Sequence, residues 1–526
     1  MRFNHLVFAL LSVFTLAACL PQVQAGLPLD EAAPTPTAGI VIVTTTPQVE
    51  PTAVIAEPEA SQPPTQEPAA VTAPSRFVDL PTQVTLNVNL VYYERWMEVQ
   101  QTVVVDNLSE DSWTEVVFNV PGNFIEGAFF LESASVSSGA EATAITPSFA
   151  WPQTMLKIEL PQPLEPGQTL QIDLGYVVLV PPVAAGDWPP NGLTGWRWDA
   201  AYDLIQAGEW YPAIVPYERG SGWREWDYRL VGDPTFYPLV DYQLNVSSDA
   251  AVTVASGGLV ERTVDEASGQ ATTRFAIEDG RGIAFVASDD YQMVETVYEG
   301  IPVRSYYLAP YAEGGKAALD VARDSLALFT ELFGPYPFDD LTIAVNGFLG
   351  GMEYSAFASI SDFVYFTYGG RINSVFHALI AHEIAHMWFY GAVGNDQANE
   401  PWLDESIAFY SELLYYERYY PGFIDWWWFT RVDFYEPTGP VDANIYDYEE
   451  AQTFIVNMYG QAAYFMRDLR AVMGDDAFFA FLRDYYETHQ GGIVTSEDFF
   501  RLAQAHAQID LGPLIDQYFE EPPLLD

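Results

Sequence analysis

The chain has 526 residues, enough for two or three domains, and its 49% hydrophobic and 15% aromatic content allows large cores. Asp and Glu number 72 against 21 Lys and Arg, and the net charge of −51 comes mostly from missing bases, lysine being nearly absent. Such a surface repels nucleic acid and anionic lipid, which argues against nucleic-acid binding, and the single cysteine, Cys19, excludes disulfides and cysteine catalysis.

Residues 1–19 read as an export signal. Arg2 supplies one positive charge, and an apolar run from Leu6 to Leu16 follows that is too short for a comfortable membrane span. Leu16-Ala17-Ala18-Cys19 resembles the bacterial lipobox. That resemblance implies cleavage before Cys19, lipidation of its thiol, and a mature protein lipid-anchored to a membrane at the cell envelope or extracellular face. Residues 20–81 are rich in Pro, Thr, Ala and Glu, with no aromatic residue before Phe77, and predict a disordered tether.

From residue 82 apolar and polar residues alternate with period two, as in Val84, Leu86, Val88 and Leu90. Further strand-like runs occur at Trp113 to Val120, Met155 to Leu160, Leu170 to Leu179, Tyr242 to Val246, Ala271 to Ile277 and Val303 to Tyr307. Residues 82–300 are therefore expected to form an N-terminal β-sandwich-like domain. The period then changes. Ala317 to Leu332 has helical spacing, strands are expected at Leu341 to Val345 and Ala356 to Ile360, and helices at 373–391, 403–420, 454–473, 476–488, 496–507 and 512–519. Residues 301–526 form the second domain of a multidomain β then α+β chain.

On the first of these later helices stands His382-Glu383-Ile384-Ala385-His386. Histidines at i and i+4 lie one turn apart on one face, so both imidazoles can meet one zinc ion, with Glu383 beside them as base for a water that zinc acidifies. Glu405, nineteen positions after His386, begins a second helix whose carboxylate can reach back as a third metal ligand and leave the fourth position open.

His-Glu-x-x-His followed by Glu within Trp402-Leu403-Asp404-Glu405 resembles the aminopeptidase N family of gluzincin zinc metallopeptidases. Asp404 stands where the family usually has Asn. Gly350-Gly351-Met352-Glu353-Tyr354 is similar to the family's Gly-Ala-Met-Glu-Asn, and Tyr459 lies where the family has a tyrosine, with Gln461 in place of its lysine. The resemblance covers about residues 82 to 520. It implies a β domain followed by a thermolysin-like, mainly helical catalytic domain, with one Zn2+ on His382, His386 and Glu405. Glu383 and Tyr459 are then the catalytic groups, and Gly351, Met352 and Glu353 bind substrate. Glu353 would take the free α-amine, making the chain an exported aminopeptidase acting on peptides with a free N-terminus. The alternatives are a zinc endopeptidase on the same site and a non-catalytic peptide-binding lipoprotein, and no obligate protein partner is evident. The family's second amine-binding residue comes from the β domain, and Glu209 is the candidate. The chain ends about 120 residues after Glu405, where longer members carry a further helical domain, so a more open cleft is expected. His377 lies off the metal-facing side of its helix, and Trp426-Trp427-Trp428 reads as core or cleft wall rather than a lipid anchor.

Overall fold

Alternating burial builds the first half of the chain into sheet. In the computed structural model the described residues are 76–139, 142–150, 154–183, 195–198, 203–229, 231–348 and 350–522. They belong to the second of the two units into which the chain divides, Met1–Val71 and Thr72–Asp526. The signal segment, Cys19 and residues 20–75 of the expected tether lie outside the described residues. Residues 76–81, also expected to be disordered, are ordered instead: Phe77, Val78 and Leu80 are buried in the β core, and the Val78 amide donates to the Tyr217 carbonyl.

Strand Thr82–Val91 buries every second side chain, and this period-two face sets its register in a sheet of eight strands. It pairs antiparallel with Trp96–Asp106 and parallel with Val240–Asp249. A four-stranded sheet around Trp113–Asn119 and a five-stranded sheet that includes Asp203–Ala207 and Phe285–Ser288 complete the β region. Their inward faces share one core containing Leu86, Val99, Phe118, Ile172, Trp210 and Phe285.

A further five-stranded sheet opens the second region, in the order Tyr291–Tyr298, Ile301–Leu308, Leu341–Asn346, Phe357–Ser361, Gly351–Tyr354. The domain boundary expected at 300/301 therefore falls inside a hairpin. Tyr291–Tyr298 pairs along its whole length with Ile301–Leu308 and goes with the second region. Nine helices follow among the described residues: α1 Ala312–Phe333, α2 Asp362–Tyr368, α3 Val375–Ala385, α4 Trp402–Tyr419, α5 Ile424–Trp427, α6 Ala451–Met473, α7 Asp475–His489, α8 Ser496–His506 and α9 Gly512–Tyr518. None of them is long and apolar enough to cross a membrane. Helix α8 starts at a capping box in which Thr495 and Asp498 exchange side-chain and backbone bonds, which places its first turn where the sequence does.

The helix expected over 373–391 is shorter than its apolar pattern suggests. It ends at Ala385, because the amide of Gly391 turns back onto the carbonyl of His386 and Tyr390 adopts a left-handed φ of 114°. The apolar residues after it, Met387 to Phe389, fill core from a compact turn instead of a helix. Helix α3 is apolar on all sides and buried along nearly its whole length, while α4 is buried from Trp402 to Tyr416. These two helices carry the candidate site into the interior. Trp427 is fully buried and Trp426 and Trp428 pack against the same core, as the core reading of this triplet requires.

Candidate metal centre and its acidic cleft

His382 lies in the last turn of α3, and His386 caps that helix with φ −61° and ψ −16°, still helical, so the two rings remain on one side. Their Nε2 atoms stand 3.1 Å apart. Glu405, in the first turn of α4, brings its Oε2 to 3.1 Å from Nε2 of His382 and 3.5 Å from Nε2 of His386. Glu405 Oε2 is buried and accepts no hydrogen bond. Three donor atoms thus converge on one point, and a buried carboxylate oxygen without a proton donor is what a divalent cation fits.

The backs of the imidazoles are also held. Nδ1 of His386 donates to the carbonyl of Phe389 at 3.0 Å, which leaves Nε2 as the lone-pair nitrogen. Nδ1 of His382 faces Glu412 Oε1 at 3.5 Å. The Glu412 carboxylate, wholly buried, is fixed by the guanidinium of Arg431 at 2.7 and 2.8 Å and by Nε1 of Trp427 at 2.9 Å. Burial works against a charge on either partner of the His386–Glu405 contact, but mutual attraction outweighs it. Glu405 is held well below the usual carboxylate range by His386 and His382, and His386 is raised by Glu353 and Glu405.

Glu383 points to the other side of the cluster. Its Oε2 is buried without a partner, and burial together with the nearby charges of Glu353 and Glu405 pushes its carboxyl well above the ordinary range. Room for it comes from Gly351. A Cβ there would lie 2.5 Å from Cδ and 2.8 Å from Cγ of Glu383. Glu353, two residues on in the edge strand, has an oxygen grouped with Glu383 and His386 within 4.8 Å. Met352 and Glu353 line a narrow cleft with Glu209, Tyr237, Tyr354 and Arg281. Tyr354, where the family has Asn, is buried and its hydroxyl accepts from Gln206 at 3.4 Å.

Glu209 comes from the β region with a left-handed φ of 48°. Its Oε1 accepts from the Tyr237 hydroxyl at 3.3 Å, its Oε2 has no partner, and burial raises its carboxyl to about 8. Tyr459, on α6, stacks on His382 with ring centroids 5.9 Å apart, and its hydroxyl donates to Glu405 Oε1. Burial and the charge of Glu405 raise that hydroxyl well above its ordinary value. His377 stands apart, packed against Tyr368, Phe376 and Tyr420, and burial lowers it to about 4.

Three residues were invisible to the motif reading. Glu412 sits seven positions after Glu405, two turns on along one helix face, and that spacing is a signal that could have found it. Gln397 bridges Asp404 and Glu353. Asp233 is half-buried in the loop between the sheets, where burial and then the charges of Glu353, Glu405 and Glu209 raise it well above the usual range. Neither of these last two stands at a telling distance from any motif.

Residues 317–518 match the model of the peptidase family M1 domain. Among curated relatives, the chain is 29% identical over 231 residues to Aminopeptidase N of Streptomyces lividans, covering 38% of this chain and 26% of that protein. It is 25% identical over 240 residues to Aminopeptidase M1 of Arabidopsis thaliana, covering 42% and 27%. The chain thus matches only about a quarter of the length of these relatives. Among solved structures, a mutant M1 zinc metallopeptidase from Deinococcus radiodurans superposes with a TM-score of 0.61 at 19% identity, covering 85% of this chain and 96% of that one. A second structure of a mutant of that enzyme gives 0.58 at 19% identity, covering 85% and 96%. That likeness shows a shared two-region fold, and the family match identifies residues 317–518 as a peptidase family M1 domain, in a chain whose ordered motifs resemble those of the aminopeptidase N family of gluzincin zinc metallopeptidases.

Proposed function

We propose that the chain is an exported zinc aminopeptidase that removes N-terminal residues from peptides. The observation that carries this reading is the convergence of the Nε2 atoms of His382 and His386 with Oε2 of Glu405 inside 3.5 Å, beside an unpaired Glu383 carboxylate. One zinc ion on these three side chains would supply Lewis acidity toward a water and a peptide carbonyl. Glu383 takes a proton from the attacking water and returns it to the leaving amine, a role suited to a carboxyl whose affinity for protons is raised. Tyr459 donates its hydroxyl to the oxygen on which charge develops. It must release Glu405 to do so, since its proton points there in this structure.

The register of cleavage comes from the cleft wall. Glu353 and Glu209 face one cavity from two different regions of the chain, a pair suited to a substrate ammonium. Gly351 keeps space for Glu383, and Met352 supplies apolar wall. One of the Deinococcus radiodurans neighbours is described with a Tyr-Ser-Ala substrate bound, a peptide consistent with this reading. Export and attachment through Cys19 are supported by the sequence Leu16-Ala17-Ala18-Cys19.

The test is Glu383→Gln in the zinc-loaded protein, assayed on aminoacyl anilides with free and acetylated amines. The variant is expected to keep zinc and lose at least a hundredfold in kcat. Wild-type turnover by the variant would remove the mechanism. Equal cleavage of free and acetylated substrates by the wild type would turn the reading to an endopeptidase.

A further inference from the structure

We propose that Gln397 is the positioning residue of the amine pocket, a two-donor amide that ties Glu353 to the helix carrying Glu405 and is itself oriented by Thr235. This deepens the aminopeptidase reading and rests on it. Gln397 lies in the connection between α3 and α4 and is 2% exposed. One amide hydrogen serves Asp404 Oδ2 at 2.6 Å, the other Glu353 Oε1 at 3.2 Å, and the amide oxygen accepts from the hydroxyl of Thr235. Both donors and the acceptor of the side chain are therefore used, on three separate segments of the chain.

The orientation is specified chemically. Were the amide to flip, its oxygen would face two carboxylates, so the two acids select one arrangement, and the Thr235 hydroxyl, able to donate or accept, anchors the amide oxygen in it. Asp404 is matched to it. Its Oδ2 takes Gln397 and its Oδ1 takes Asn395 Nδ2 at 2.9 Å. The asparagine usual in the family offers only one acceptor oxygen and could not serve both donors in this geometry. The departure at 404 and the presence of glutamine at 397 are thus two halves of one device.

Its target is the Glu353 carboxylate, a buried side chain that lines the cleft opposite Glu209. The bond from Gln397 occupies Oε1 and holds the group in place, which leaves Oε2 to meet an ammonium. Loss of the bridge should weaken recognition of the free amine while leaving the chemistry at the metal intact, because Gln397 contacts none of His382, Glu383, His386 or Glu405 by hydrogen bond.

The experiment uses the full chain, zinc-loaded, with Gln397→Met, which keeps volume and removes both donors, and Thr235→Val, which removes only the orienting hydroxyl. For leucine anilide with a free amine, KM should rise about tenfold in the first variant and about threefold in the second, with kcat within twofold of wild type. Zinc content should stay at one per chain. Calorimetric binding of L-leucine should weaken by the same factors, while N-acetyl-leucine should be unaffected. If the wild type discriminates free from blocked amines but KM and leucine affinity do not move in either variant, the inference is wrong and the aminopeptidase reading stands. A loss of kcat at unchanged KM also overturns it, since the bridge would then serve the metal helix alone. If the wild type does not discriminate, the reading and the inference fall together. Thr235→Val keeps the test decisive should Gln397→Met not fold.

Discussion

Gly351→Ala isolates the placement of Glu383 from everything else in the site. Gly351 starts an edge strand and its φ is not in the left-handed region, so the backbone accepts alanine. The new methyl carbon, however, would sit 2.5 Å from Cδ and 2.8 Å from Cγ of Glu383, distances real Cβ atoms do not keep. The carboxylate is the far end of a flexible side chain and yields first, moving by about 1 Å to restore ordinary contact. A misplacement of that size at a reacting group costs about a hundredfold in rate, or about 2.7 kcal/mol of barrier. The three atoms nearest the methyl all belong to Glu383 and none to a metal ligand, so zinc content and Tm should remain close to wild type. The assay is steady-state hydrolysis of an aminoacyl anilide, with metal analysis on the same sample. A kcat within threefold of wild type at full zinc occupancy would refute the claim that this approach positions the base.

Two further outcomes follow from the groups around the metal. Burial raises Glu209 from 4.5 to about 8, so the folded chain binds its proton more tightly than the unfolded chain does. Stability should therefore fall as pH rises from about 4.5 to 8, by at most about 5 kcal/mol. Glu209→Gln should flatten that part of the Tm-versus-pH curve, and parallel curves for variant and wild type would contradict the burial argument. Glu412→Gln removes the charge behind Nδ1 of His382 and should weaken zinc about tenfold to a hundredfold in competition with a chelator, with unchanged affinity counting against the orienting role.

Much of the site was legible because it depends on local periods. One helical turn brings His382 and His386 together, and the span to Glu405 is long enough for one helix to end and another to start. What the sequence did not disclose is where tertiary contacts overrule a pattern. The apolar run after His386 reads as more helix, yet the Gly391 amide closes a turn on the His386 carbonyl and ends it. The sequence reading ends the β region at residue 300, yet strand Tyr291–Tyr298 pairs with Ile301–Leu308 and goes with the second region. Glu209 lines the cleft from the β region, more than a hundred positions before the histidines; the family resemblance offered it as a candidate, but no spacing rule connects residues joined only by tertiary packing. Glu412 is a different case, since its two-turn offset from Glu405 was readable and only the motif boundary hid it.

The charge balance explains why these acids need what the reaction brings. Asp404, Glu405, Glu383, Glu353 and Glu209 are all buried, and each costs several kcal/mol if ionised without a partner. The arginine beside the cleft does not neutralise them. Arg281 spends its guanidinium on the carbonyls of Tyr237 at 2.9 Å, Gly492 at 2.5 Å and Ala392 at 3.4 Å, and burial lowers it to about 10. Positive charge is then wanting in two places, where the imidazoles converge on Glu405 and between Glu353 and Glu209, whose buried carboxyls otherwise hold their protons. A divalent ion would satisfy the first, and under the proposed function a substrate ammonium would satisfy the second. On this account the same shortage of bases that gives the chain its net charge of −51 also leaves its cleft unpaired until metal and substrate arrive. Under the proposed function, binding either one would stabilise the fold as well as prepare the reaction.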